Sequence, residues 1–203
     1  MLEAAGLECV RQQRVLFAGL SFALGAGELL RVAGANGSGK TSLLRILCGL
    51  LSPQAGEVRW HGAPIQALRE DYARHIVYLG HAPAVKDDLS AEENLAIACR
   101  LAGVRVVAES IRDALERFGL SGAALVKKLS QGQRRRAALA RLWLSAPLPL
   151  WLLDEPFTAL DTAGVATLRG LIEAHIGRGG AVIYSTHQDP GMVATRVVEL
   201  IVA

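Results

Sequence analysis

The sequence predicts an α/β fold in one domain over residues 1–203. Short apolar runs, each the length of a buried strand, alternate with segments of helical spacing. Tight turns join them, in keeping with 21 glycines. The chain is 51% hydrophobic, enough for a sizeable core at the large end for a single domain.

The elements follow in order. "GLECV" and "RVLFAGLSFAL" read as strands around the polar turn "RQQR". "ELLRVAG" is a buried strand that runs into a Gly-rich turn, and "KTSLLRILCGL" is a helix stopped by Gly49 with Pro53 just beyond. "GEVRWHG" and "HIVYLG" are further strands. From Ser90 to Leu144 the pattern turns helical, in "SAEENLAIACRLAG", "VAESIRDALERFG" and "SQGQRRRAALARLWLS". "PLWLLDEP" and "AVIYSTH" have the length of buried parallel strands, with a helical segment between them. "RVVELIVA" is a last strand.

Composition excludes some classes. Cys9, Cys48 and Cys99 form no CxxC pair, which speaks against a disulfide framework or zinc site and for a reducing compartment. A net charge of +3 neither demands nor excludes nucleic acid. The start of the chain predicts no signal peptide. The most apolar region, Ala137 to Leu153, is broken by Arg141, Pro147 and Pro149 and predicts a buried helix, a turn and a strand rather than a membrane span.

"GANGSGKT" matches the phosphate-loop pattern G-x-x-x-x-G-K-[ST] between a predicted strand and a predicted helix, the context that pattern requires. Its residues Gly34, Ala35, Asn36, Gly37, Ser38, Gly39, Lys40 and Thr41, with Ser42 next, are the candidate nucleotide-binding set. Backbone N–H groups of such a loop curl around phosphate oxygens, and the following helix points its positive end at them. Lys40 would neutralise the β- and γ-phosphates, and the Thr41 hydroxyl would ligate Mg²⁺. "LWLLDEP" ends an apolar strand in two acids. Asp154 fits a Mg²⁺ holder, and Glu155 fits a general base for the attacking water. His187, at the end of the next strand, is placed to reach the γ-phosphate.

"LSQGQRRR" opens a helix at Ser130, a natural N-cap, and Gly132 lets backbone approach a ligand. Arg134, Arg135 and Arg136 lie in the first turns, where cations oppose the helix dipole. They predict a solvated or salt-bridging face between segments. Nucleic-acid binding is not expected, because no aromatic platform is interleaved with them.

GANGSGKT, LSQGQ, LLDEP, TALD and STH, in this order, resemble the ATP-binding cassette (ABC) nucleotide-binding domain over nearly the whole chain. The resemblance implies a P-loop NTPase with a RecA-like core, an N-terminal antiparallel β subdomain and an α-helical insert over about 82–145. It implies ATP and Mg²⁺ as ligands and Lys40, Glu155 and His187 as catalytic groups. It further implies a head-to-tail dimer, in which Ser130, Gly132 and Gln133 face the ATP of a second copy and Asp161 belongs to a loop that communicates across the dimer. "YLGHAPAVKDDLSAEENL" and "ALARLWLSAPLPLWLLDEPFTALD" resemble a narrower group, the cytochrome c maturation ATPases. That likeness implies a peripheral subunit at the cytoplasmic face of a bacterial inner membrane, working with membrane-spanning subunits of CcmB and CcmC type in haem delivery.

The sequence departs from the family pattern in three places. Gln131 stands where the signature motif has glycine. His81 stands where a glutamine normally touches Mg²⁺, and so is a further candidate metal contact. The aromatic residue that stacks on adenine is missing, which leaves Arg11 and Arg14 as alternatives. Two functions other than a small ABC transporter subunit fit the sequence less well. A soluble nucleic-acid ATPase of this class needs long coiled coils or two cassettes, neither of which fits in 203 residues. A nucleotide-gated scaffold needs no base.

Overall fold

A computed structural model describes residues 1–187 and 191–200. Two sheets form the frame. The first is antiparallel, in the order β2-β1-β4-β5, with β1 at Leu2–Arg11, β2 at Arg14–Leu24, β4 at Ala55–Trp60 and β5 at Ala63–Pro64. The second is parallel, in the order β6-β7-β8-β3-β9, with β3 at Leu29–Gly34, β6 at Ile76–Leu79, β7 at Leu150–Asp154, β8 at Ala181–Ser185 and β9 at Arg196–Leu200. The hairpin between β1 and β2 closes through Gln12 and Gln13, both at positive φ, as a two-residue turn of type I′ requires.

Every residue of β7 and β8 is buried, which explains why "LWLL" and "AVIY" read as unbroken apolar runs. The strand period of two divides them between two cores. Leu150, Leu152, Ala181 and Ile183 pack with the antiparallel sheet and helix α1 (Lys40–Leu47), which contributes Leu43, Leu44, Ile46 and Leu47. Trp151, Leu153, Val182 and Tyr184 pack on the other side with three helices that lie between β6 and β7 in the chain and with the helix at Thr162–Gly177. Three of the longer helices start at a side-chain cap. Two one-turn helices, α2 (Ile65–Leu68) and α3 (Glu70–Ala73), have no periodic signal in the sequence, because four residues are too short to show a period. Helix α4 (Ala91–Leu101) starts at a Ser90–Glu93 capping box. Helix α5 spans Ala108–Arg117, α6 spans Gln131–Leu144, and α7 is the Thr162–Gly177 helix, N-capped by Asp161 through Gly164 N–H at 2.8 Å.

On α7, His175 is 2% exposed, and its ring stacks on Trp151 with centroids 3.8 Å apart and planes 8° from parallel. Burial, reinforced by Arg178, lowers its pKa to about 4 from the ordinary 6.5. The native state therefore holds His175 neutral where the unfolded chain takes up a proton. Its contribution to stability is intact above about pH 6.5 and is lost as pH falls towards 4. His175→Phe keeps a flat ring against Trp151 and removes the titration. Its melting temperature should fall less between pH 7 and pH 5 than that of the unmodified protein, as followed by circular dichroism. Equal falls would assign the acid sensitivity to other groups.

Candidate functional site

The parallel strands deliver their C-terminal ends to one edge, the place where open α/β sheets bind ligands. Between β3 and α1 the loop must turn sharply. Gly34 has φ 144°, and a Cβ there would sit 2.6 Å from both Leu200 O and Ser38 Oγ. Gly39, the N-cap of α1, has φ 102°, and its α-carbon faces the side chains of Leu16 and Phe17. No side chain fits at the first position, and neither backbone conformation suits an L-residue. Helix α1 consequently starts with its N–H groups directed at the site.

Lys40 Nζ donates to Gly34 O at 2.8 Å and Ala35 O at 3.1 Å and lies 3.9 Å from Glu155 Oε1. Thr41 Oγ1 donates to Asp154 Oδ2 at 2.8 Å across 113 positions of sequence. Asp154, fully buried, accepts a second bond at Oδ1 from Ser185 Oγ at 2.7 Å. The same Ser185 oxygen accepts from Glu155 N–H at 2.9 Å. Glu155 has φ 49°, a left-handed conformation that is uncommon for a residue with a side chain. Its Oε2 lies 2.9 Å from His187 Nδ1.

A cavity of about 870 Å³ opens over these groups, lined among others by Asn36, Gly37, Gly39, Lys40, Thr41 and Ser42. Glu155, His187 and His81 lie on its wall, and Val10, Arg11, Gln12 and Leu16 line it too. Of the two arginines left open by the sequence, Arg11 borders the cavity and Arg14 does not. Gly34, Ala35 and Ser38 sit behind the lining, with Ser38 buried. Thr158, the first residue of TALD, lines the cavity as well.

Ser130, Gly132 and Gln133 do not line this cavity. They form the front of α6, where Ser130 Oγ accepts from Gln133 N–H at 3.2 Å and Gln133 Oε1 accepts from Ser130 N–H at 2.9 Å. This is a capping box, written in the sequence as S-x-x-Q. A Cβ on Gly132 would lie 3.0 Å from Ala159 O, so glycine lets α6 sit close to the TALD loop.

Of the arginines behind that cap, expected on a solvated or salt-bridging face, Arg135 departs from the expectation. Arg134 does bridge segments, bonding Asp87 at 2.9 Å, and Arg136 donates to Phe118 O. Arg135, however, is 4% exposed and points inward. Its Nη1 donates to Gly80 O at 3.0 Å and His81 O at 3.1 Å, and its Nη2 to Asp154 O at 2.9 Å and Glu155 O at 2.8 Å. Charge pattern alone does not separate it from its neighbours. Burial pushes its pKa down from the usual arginine range, opposed by the charges of Asp154 and Glu155.

Ser185, the last residue of β8, carries no functional signal of its own in the sequence. Its one hydroxyl serves both acids, so Ser185→Ala removes the acceptor of a buried N–H and a donor to a buried carboxylate together. The expected cost is roughly 1–3 kcal/mol of stability. A lowered urea midpoint would report it, and an unchanged midpoint would show that the bridge is dispensable.

Comparison with known proteins places this geometry. Residues 17–158 match the family model described as ABC transporter. A cytochrome c biogenesis ATP-binding export protein CcmA from Aromatoleum aromaticum is 53% identical, covering 98% of this chain and 95% of its own. The structure is similar to that of a protein described as an ABC transporter ATP-binding protein from Pyrococcus furiosus, with TM-score 0.83, 27% identity and coverage of 98% and 96% of the two chains. It also shares its fold with a dimeric bacterial ABC transporter cassette, with TM-score 0.87, 21% identity and coverage of 99% and 94%.

Proposed function

We infer the function from one premise: this chain belongs to the ABC transporter family, as an ATP-binding subunit that hydrolyses ATP. We propose that it powers a bacterial inner-membrane complex for cytochrome c biogenesis and that ATP hydrolysis there drives haem delivery. The observation that carries this is the near full-length identity to a cytochrome c biogenesis export protein, together with one cavity that gathers Lys40, Thr41, Glu155 and His187. The whole chain, 1–203, acts as one ATP-binding domain, with the helical insert at about 82–145.

The proposed roles follow from the chemistry of the side chains. Loop 34–39 with Lys40, Thr41 and Ser42 cradles the triphosphate, and Lys40 exchanges its two carbonyl partners for phosphate oxygens. Thr41 and Asp154 would hold Mg²⁺. Their two oxygens meet at 2.8 Å and are the hard donors that this ion prefers. His81 on the cavity wall is a further contact. Bound Mg²⁺ would neutralise phosphate charge. Glu155 orients the attacking water and takes its proton, and His187 bonds to Glu155 and faces the γ-phosphate. Arg11 is the proposed neighbour of the adenine.

A second copy completes the site in this reading. Ser130, Gly132 and Gln133 of one chain close over the ATP of the other, and no nucleic acid takes part. Among the described residues, no helix is long and apolar enough to cross a membrane. In this reading the chain sits peripherally on the cytoplasmic face of the inner membrane, held there by spanning subunits of CcmB and CcmC type, as the likeness to cytochrome c biogenesis export proteins supports. Residues 82–85 form an irregular segment with Ala82 and Ala84 exposed and Pro83 and Val85 half-buried, an apolar surface fit for a partner helix.

Glu155→Gln should keep ATP binding and lower phosphate release by about 10²-fold or more. A variant with near-normal turnover would remove Glu155 as the base. Affinity purification from solubilised membranes should recover spanning subunits with haem absorbance. Ala84→Asp should lose them while keeping basal ATP hydrolysis, and co-purification of the variant with the same subunits would move the docking site elsewhere.

A further inference from the structure

Arg135 lies five positions behind Ser130 on α6, and its guanidinium takes four backbone carbonyls in two pairs, those of Gly80 and His81 and those of Asp154 and Glu155. The main chain, not a side-chain carboxylate, receives all four bonds. Both pairs belong to the site. His81 lines the nucleotide cavity, and Glu155 is held in a left-handed conformation that needs outside support. Ser185 fixes the N–H of Glu155, and Arg135 fixes its carbonyl. A planar fork with donors on separate nitrogens spans two such pairs at once, which the point charge of a lysine does not.

We propose that Arg135 is a positioning residue for ATP hydrolysis. It ties the signature helix, the His81 wall and the acid pair into one body, so that a contact made at Ser130 is passed to the carboxylate of Glu155 in the same chain. The proposal rests on the reading of Glu155 as the hydrolytic base. It also gives the inward arginine a role that neither phosphate binding nor metal binding supplies, since Arg135 does not line the cavity.

The test uses the full chain with Arg135→Met and Arg135→Lys. Phosphate release is measured against ATP concentration, together with equilibrium binding of a fluorescent ATP analogue and hydrogen exchange by peptide. Arg135→Met should lose about 10²-fold in kcat, the scale expected when a reacting group is misplaced by a fraction of its reach. The Kd for the nucleotide should stay unchanged, because the phosphate loop is untouched. Arg135→Lys, which keeps the charge and carries the test if the methionine variant does not fold, should fall between. Exchange should rise in residues 79–85 and 153–160 and hold in residues 40–48. Normal kcat in a folded variant overturns the proposal. So does a loss of kcat matched by an equal loss of binding and a rise in exchange throughout, which marks a merely structural arginine. If the unmodified protein releases no phosphate, the hydrolytic reading fails, and the exchange pattern alone decides whether Arg135 joins the two segments.

Discussion

The buried carboxylate of Asp154 is the constraint on which the rest of the site depends. A fully buried charge is costly unless its lone pairs are satisfied. Thr41 and Ser185 satisfy them from opposite sides, at 2.8 Å and 2.7 Å. These bonds fix the start of α1 against the end of β7 and the end of β8, so the phosphate loop and the two strand ends share one origin. The apolar strands behind them make this possible. With β7 and β8 buried on both faces, their last residues have little freedom to shift and are presented at the sheet edge.

Arg135 is the second buried charge of the region, and it approaches the same strand end from the other side. Desolvating a guanidinium costs several kcal/mol. Hydrogen bonds to a charged group return about 1.5–3 kcal/mol each, so four carbonyls are of the right order to offset that cost. The arrangement also explains how Glu155 tolerates positive φ. Its N–H and its carbonyl are both held by buried partners, and its side chain is left to face Lys40 and His187. Strain of this kind persists only where its surroundings over-determine it.

The two ends of α6 serve different tasks. Its front is uncharged and closed by the Ser130–Gln133 box, while Gly132 lies close to Ala159. Its body packs Ala137, Leu139, Ala140, Leu142 and Leu144 into the core with the sheet. A helix anchored so firmly along its length can present a short polar nose without that nose needing partners of its own.

The sequence by itself determined the elements and the local chemistry. Strand and helix periods, the glycines of the 34–41 loop, the acids at the end of β7 and the Ser130 cap are each encoded in a few consecutive residues, and local physics suffices to read them. The α/β class and the ABC likeness followed from that order of motifs. What only the tertiary structure decided are the pairings across long separations. Thr41 meets Asp154 over 113 positions, Arg135 reaches Gly80 over 55, and Arg11 rather than Arg14 borders the cavity. Three adjacent arginines look alike in a sequence. Their fates diverge because α6 turns about 100° per residue, so consecutive side chains leave it in different directions, and in this fold one of those directions leads between two strand ends.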